Sequence, residues 1–360
     1  MIIFTKDTLR AGVEAASGGL VTVLYDDLGY PSYMYVVPKF NIEDVVGDNS
    51  IGTGVHPMFI VNGREVPEIF VGQFQASVVN NRAVSWPGVD PTASINFETS
   101  ISRCAAKGTG WHLMTNAEWA GVALWTFKAH GNVRGNTDYG RSHEMTYEMG
   151  RRQDGLAPGL ASGTARTLTG SGPASWRHNG QPFGISDLVG NIWEWNAGLR
   201  IVNGEIQIIA NNDAAENQLA VHAVDSASWK ALLEDGSLVA PGTTDTLKWD
   251  ATGESGAGAP ILNTEVTSQS DGTTSASAAF DSVAAAVDVI GPDILKQLLI
   301  FPITGTTIDG SLYVKNVDER LPFRDGNWGI GGDAGLAAAS LGYPRSSAGT
   351  TVGFRPAFVA

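Results

Sequence analysis

Apolar and polar positions alternate around Leu20-Val21-Thr22-Val23-Leu24 and Tyr33-Met34-Tyr35-Val36-Val37, a two-residue period that predicts strands within residues 1–55. The glycines from Gly47 to Gly54 suggest a boundary. Met58 to Val66 reads as a hairpin, with Asn62-Gly63 between two strand-like runs. The period then changes. Phe97, Ile101 and Cys104 share one helical face within 94–107, and Gly108 supplies a stop. Thr115-Asn116-Ala117-Glu118 is a capping box: the Thr hydroxyl accepts from the N3 amide and the Glu carboxylate from the cap amide. Trp119, Val122, Ala123 and Phe127 form the stripe behind it, and Gly131 ends it. These two helices are expected to be the longest. Residues 132–182 read as loop. Glu205 to Ile209 reads as a strand, and Trp229 to Leu233 and Pro292 to Leu299 as short helices. The low-charge stretch 240–285 is expected to form surface loops or an inserted lobe, and no fixed-period repeat is apparent.

Composition narrows the function. With 43% hydrophobic residues in 360, the chain can bury a core. Forty-four glycines and 17% charge favour a turn-rich chain of short strands. A net charge of −14 disfavours a nucleic-acid partner, whose affinity comes mostly from Lys and Arg neutralising phosphates. Cys104 is the single cysteine, so no intrachain disulfide can form; among small residues it reads as a buried thiol. Met1 to Asp7 lacks a basic region followed by an apolar one, so no signal peptide is expected. No run of about 18 apolar residues suggests membrane insertion.

Three segments carry a resemblance. They are Gly110-Trp111-His112-Leu113-Met114-Thr115-Asn116-Ala117-Glu118-Trp119, then Asp187-Leu188-Val189-Gly190-Asn191-Ile192-Trp193-Glu194-Trp195, then Arg324-Asp325-Gly326-Asn327-Trp328 with Gly353-Phe354-Arg355 at a distance. In this order they resemble the formylglycine-generating-enzyme (sulfatase-modifying-factor) family over roughly residues 57–198 and 320–360. The resemblance implies an α+β, C-type lectin fold of the formylglycine-generating-enzyme type, with short strands, two main helices and many loops. It also implies a domain over 56–360 with a large insertion at about 200–320, after an N-terminal strand-rich segment 1–55. That segment is either an assembly or attachment region or the first strands of the same domain. By residue chemistry the second segment is scaffold: Trp193 and Trp195 share a side, and Glu194 is expected to accept from backbone or indole N–H groups.

The family's enzymes place paired cysteines and copper near the C-terminus, but no cysteine follows Cys104 here. The six histidines, His56, His112, His130, His143, His178 and His222, show no tight metal-ligand spacing. No catalytic residue, metal or cofactor is therefore expected.

The C-terminal stretch carries a second resemblance, to variable proteins of diversity-generating retroelements, notably phage tropism determinants. In those proteins a reverse transcriptase copies a template with errors at adenines, so Asn codons diversify to residues such as Gly, Ser, Thr, Tyr, Asp, Ile and Ala. They never become Lys, Glu, Gln, Met or Trp, and none of these five occurs from Gly329 to Val352. The resemblance marks a variable region at about 324–358. Its ligand-binding positions are Gly329, Ile330, Asp333, Ser340, Gly342, Tyr343, Ser347, Gly349, Thr350 and Thr351, within a frame of Trp328, Gly335, Leu336, Leu341, Pro344, Arg345, Gly353, Phe354 and Arg355. The alternative is a Gly/Ala/Ser-rich loop that is only flexible or tightly turned; the rigid-looking frame argues against it.

A diversified surface needs a frame that sets the backbone while variable side chains point outward. Trp328 and Phe354 are expected to anchor it, and Arg345 and Arg355 to bond backbone carbonyls. Tyr343 is the best single anchor for a partner. The resulting expectation is a phage receptor-binding (tropism) protein, not an enzyme. It would be made in the bacterial cytoplasm and sit on the virion tail. Its partners would be tail components and a host surface receptor, protein or glycan. It would be a homo-oligomer, by analogy a trimer. The alternatives are a bacterial variable binding protein acting in or on the host, and a non-canonical formylglycine-generating-type oxidase.

Overall fold

The computed structural model describes residues 7–47 and 50–360. Most of the N-terminal segment Met1 to Asp7 and part of the Gly47 to Gly54 boundary therefore lie outside the described residues. Over the described residues the chain is mixed α+β, with few helices, many short strands and no barrel.

One sheet has five strands in the order Val21–Tyr25, Pro31–Pro38, Glu68–Gly72, Pro356–Phe358, Trp111–Leu113. All neighbours are antiparallel. The N-terminal strands and the last strand thus share one sheet, joined through Glu68–Gly72. A second, 13-stranded sheet carries Gly335–Tyr343 between Ser311–Val314 and Glu319–Asp325.

The helix Asn116–His130 packs between these sheets. Its capping box forms as the spacing requires: Glu118 N donates to Thr115 Oγ1 at 3.1 Å and Thr115 N to Glu118 Oε2 at 2.9 Å. The helix is buried on nearly every side over Asn116 to Leu124, so its core contact exceeds the expected stripe. Trp119 Nε1 donates to Leu336 O at 3.0 Å and ties the helix to Gly335–Tyr343. The Ile60–Glu65 hairpin also forms, with Asn62 (φ 48°) and Gly63 (φ 70°) in the left-handed turn it needs.

Several expectations fail. The helix Thr8–Ser17, within the segment read as strands, has 10 residues and outruns Phe97–Ala105 with 9. Asp7 caps it by accepting from Arg10 N, and Gly18 closes it in the left-handed conformation. Its short stripe of Leu9, Val13 and Ala16 lies just before the strand-like alternation that dominated the reading. Trp229–Leu232 is a strand, not a helix, because Glu205–Ile209 offers it an antiparallel edge. The stretch 240–285 holds the strands Lys248–Ala251, Pro260–Asn263 and Ala276–Ala279, which extend the large sheet. Ala276–Ala279 consists of small residues without apolar alternation, so only pairing with Ser311–Val314 defines it.

Candidate functional site

The tail is held from beneath by buried charge. Arg355 is fully buried and forms a fork on Glu194, Nε to Oε2 at 2.9 Å and Nη2 to Oε1 at 2.5 Å. It also donates to the carbonyls of Gly72 (2.9 Å), Ser186 (3.0 Å) and Asp187 (3.0 Å). Glu194 accepts from Arg355 and from Gln75 Nε2 (3.0 Å), not from the expected backbone or indole donors. Burial raises the Glu194 pKa against the pull of Arg355. Asp325, also buried, is raised well above the usual carboxylate range by burial and by the neighbouring Glu194.

Arg324 donates through Nε and Nη2 to Asn116 Oδ1 (2.9 and 2.6 Å) and to the carbonyls of Leu298 and Leu299. Arg345 departs from its expected role. It pairs bidentately with Glu319 (2.7 Å twice), contacts Glu98, and reaches only the His222 carbonyl, at 3.2 Å. Phe354 and Trp328 are buried as anchors.

The backbone of the tail, more than its side chains, does the holding. Gly349 O accepts from Ser94 N (2.9 Å) and Val352 N (3.0 Å), and Thr351 O from Trp193 N (2.8 Å). Among the described residues, Ser340, Ser347, Thr350 and Thr351 make no side-chain hydrogen bond to the protein. Asp333 is the exception: its Oδ1 accepts from Ser311 Oγ at 2.7 Å.

The glycines divide into two kinds. A Cβ on Gly329, Gly342 or Gly349 would meet nothing nearer than 3.6, 3.6 and 3.7 Å, and none of the three has positive φ. A Cβ on Gly353 would lie 2.5 Å from both Thr92 O and Ile192 Cδ1. One on Gly335 would lie 2.6 Å from Gly310 N and overlap the Asp309 carbonyl group more closely still. The three expected binding glycines have room for side chains; these two frame glycines have none.

Seven of the ten expected positions gather at two neighbouring cavities. One of about 300 Å³ is lined by Ser347, Gly349 and Thr351 with Val352 and Phe323. The other, about 280 Å³, is lined by Ile330, Ser340 and Gly342 with Tyr313 and Lys315. Trp193, Asn327 and Tyr343 line both. Tyr343 is 48% exposed and stacks on Phe323, with ring centres 4.9 Å apart and planes at 27°. Gly329, Asp333 and Thr350 stand exposed outside the cavities.

Two positions are not outward-facing. Ser340 is only 4% exposed and Gly342 is buried. Both lie on the face of Gly335–Tyr343 that carries Ala338, because side chains alternate along a strand, and they form the cavity floor. Lining residues that sequence reasoning missed are Trp193, read as scaffold, with Phe323 and Asn327. Tyr313, Lys315 and Ser275 come from the stretch 200–320, where no motif marked them. Neither cavity is lined by His, Cys, Asp or Glu.

The histidines lie elsewhere. His56, His178 and His222 are buried, and burial lowers their pKa to about 4, 3 and 4. His112 is buried against Glu118 at 2.7 Å. Among the described residues no three of His, Cys, Asp and Glu group as a metal-ligand set. Cys104 is buried, and burial pushes its thiol pKa up.

No family model matches the chain, and no curated protein does. Among solved structures it is similar to Treponema denticola variable protein 1, at 10% identity and a TM-score of 0.33, over 94% of this chain and 99% of that one. Superposition that loose carries no weight for function.

Proposed function

We propose that this chain is a ligand-binding variable protein whose C-terminal surface is built to accept many side chains. The two kinds of glycine carry this reading. Gly329, Gly342 and Gly349, among the positions singled out as diversifiable, accept a Cβ without overlap, while the frame glycines Gly335 and Gly353 do not. Main-chain hydrogen bonds at Gly349 and Thr351 support it, since they survive side-chain replacement. The exposed Tyr343 ring between two cavities supplies an aromatic anchor for a partner.

The finer reading is a phage receptor-binding protein diversified by a retroelement, with a C-type lectin fold of the formylglycine-generating-enzyme type. The mixed α+β arrangement is compatible with a C-type lectin-like fold. Binding rather than catalysis is favoured because neither cavity is lined by His, Cys, Asp or Glu. A homo-oligomer on a virion tail would add avidity to modest single-site affinity.

A displayed library randomised at the ten positions tests the binding reading. It is expected to yield folded clones that select different partners, whereas a library randomised at Gly335, Gly353 and Phe354 yields few folded clones. Equal folding yields would sink the proposal. The retroelement reading has its own test: the adjoining DNA should hold a near-copy of the region encoding 324–358, with Asn codons at the ten positions, beside a reverse-transcriptase gene. Absence of that repeat removes diversification while leaving the binding surface intact.

A further inference from the structure

Another cavity lies away from the tail. About 930 Å³ in volume, it opens between the helix Thr8–Ser17 and the segments around Phe74 and 169–183, and it shares no lining residue with the two cavities beside Tyr343. Small-molecule sites run about 300–1,000 Å³ and are mostly apolar with a few polar groups. Leu9, Val13 and Ala16 form one wall from a single helix face; Tyr33, Phe74 and Phe183 face them.

The polar group is Arg177. It is buried, lies over the Phe74 ring at 5.8 Å, and donates through Nη2 to Gly170 O at 2.7 Å. Its Nη1 is buried with no hydrogen-bond partner, and Arg177 forms no ion pair among the described residues. A buried guanidinium that lines a cavity with a donor left unpaired keeps most of its charge uncompensated by the protein. Gly170 lines the cavity with φ +64°, and a Cβ there would crowd Nη1 at 3.1 Å. Asp187 is the acidic group that acts on Arg177. Its carboxylate accepts from Gly170 N at 3.1 Å, and burial raises its pKa. Exposed Arg151 adds a second guanidinium to the lining, in a chain whose net charge is −14.

We propose that this cavity binds a small amphipathic anion, its carboxylate or sulfonate head on Arg177 and its apolar body between the Thr8–Ser17 helix and Phe74. Arg177 and Arg151 both line the cavity, and charge-assisted pairing of guanidinium with carboxylate is among the stronger polar contacts. The body buries apolar surface on both walls.

The test uses the full chain with two probes: the aromatic sulfonate 8-anilinonaphthalene-1-sulfonate, followed by fluorescence, and dodecanoate, followed by calorimetry. Each is expected to bind saturably with one site per chain and to displace the other. Dodecanol, lacking the charge, is expected to bind at least about tenfold more weakly, and Arg177→Gln to weaken dodecanoate by a similar factor. Arg177→Lys should recover part of the loss. Because Arg177 also bonds Gly170, Gly12→Phe is an independent variant. A Cβ at Gly12 meets nothing within 4 Å, so the ring enters the cavity, and replacing a helical glycine does not weaken the helix. It should abolish binding with the melting temperature kept. Absence of saturable binding, equal affinity for dodecanol and dodecanoate, or full binding by a folded Gly12→Phe would each overturn the proposal.

Discussion

Alanine placed at each class of tail glycine separates a frame from a tolerant surface. At Gly353 a Cβ would lie 2.5 Å from Thr92 O and from Ile192 Cδ1. The isoleucine tip can rotate, but the Thr92 carbonyl is backbone and can yield only by moving its segment. At Gly335 the obstacles, Asp309 and Gly310, are both backbone. Overpacking costs about 1–3 kcal/mol in general, and immovable backbone puts both sites at about 3 kcal/mol or above. At Gly329, Gly342 and Gly349 the nearest atoms lie at ordinary contact distances and φ suits any residue. Alanine there narrows the unfolded ensemble and should stabilise by about 0.4–1 kcal/mol. Urea unfolding monitored by tryptophan fluorescence reads both directions. Thermal melts will be less sensitive: at about 2.1 cal/mol/K per residue over 360 residues, 3 kcal/mol is only about 4 °C if the chain unfolds as one unit. A loss above about 2 kcal/mol in Gly342→Ala or Gly349→Ala would refute the reasoning, as would neutral behaviour of Gly335→Ala and Gly353→Ala.

Other consequences are testable by the same melts. Tyr343→Ser should cost only about 1 kcal/mol, the worth of a stacked pair on Phe323, whereas Phe323→Ala should cost about 3–5 kcal/mol; a similar loss in both would place Tyr343 in the core. The three buried histidines titrate below their free value of 6.5, so the unfolded chain binds more protons than the native one between about 6.5 and 4. Stability therefore rises with pH across that window and is lost on acidification, by about 5 kcal/mol from pH 7 to 5 for these three groups. An imidazole of any of the three titrating near 6.5 by NMR would contradict their burial. Asp325 acts oppositely: its folded pKa is raised above 3.8, so the native state binds more protons and stability falls as pH rises above that value. Asp325→Asn, which removes the charge beside Glu194 while Oδ1 has no partner to lose, should be at least as stable as the parent at pH 8 and flatten that slope. A markedly destabilised variant would show that the carboxylate is needed.

What could be read along the chain is what neighbouring residues settle among themselves. The capping box closes over three residues, and the Asn62-Gly63 turn needs only the tolerance of those two for positive φ. The five residue types missing after Trp328 and the frame of the tail are likewise visible in order alone. Tertiary structure decided everything that depends on distant partners. Trp229–Leu232 became a strand because Glu205–Ile209 lay beside it, and Glu194 found Arg355 from 161 residues away. Strand direction and pairing put Ser340 on the floor of a cavity rather than its rim, and the pairing of Ser311–Val314 with Gly335–Tyr343 brought Tyr313 and Lys315 to the same wall. The two kinds of glycine look identical in the sequence. Only the approach of Thr92, Asp309 and Ile192 tells them apart, since close contact between remote backbone segments leaves no local pattern.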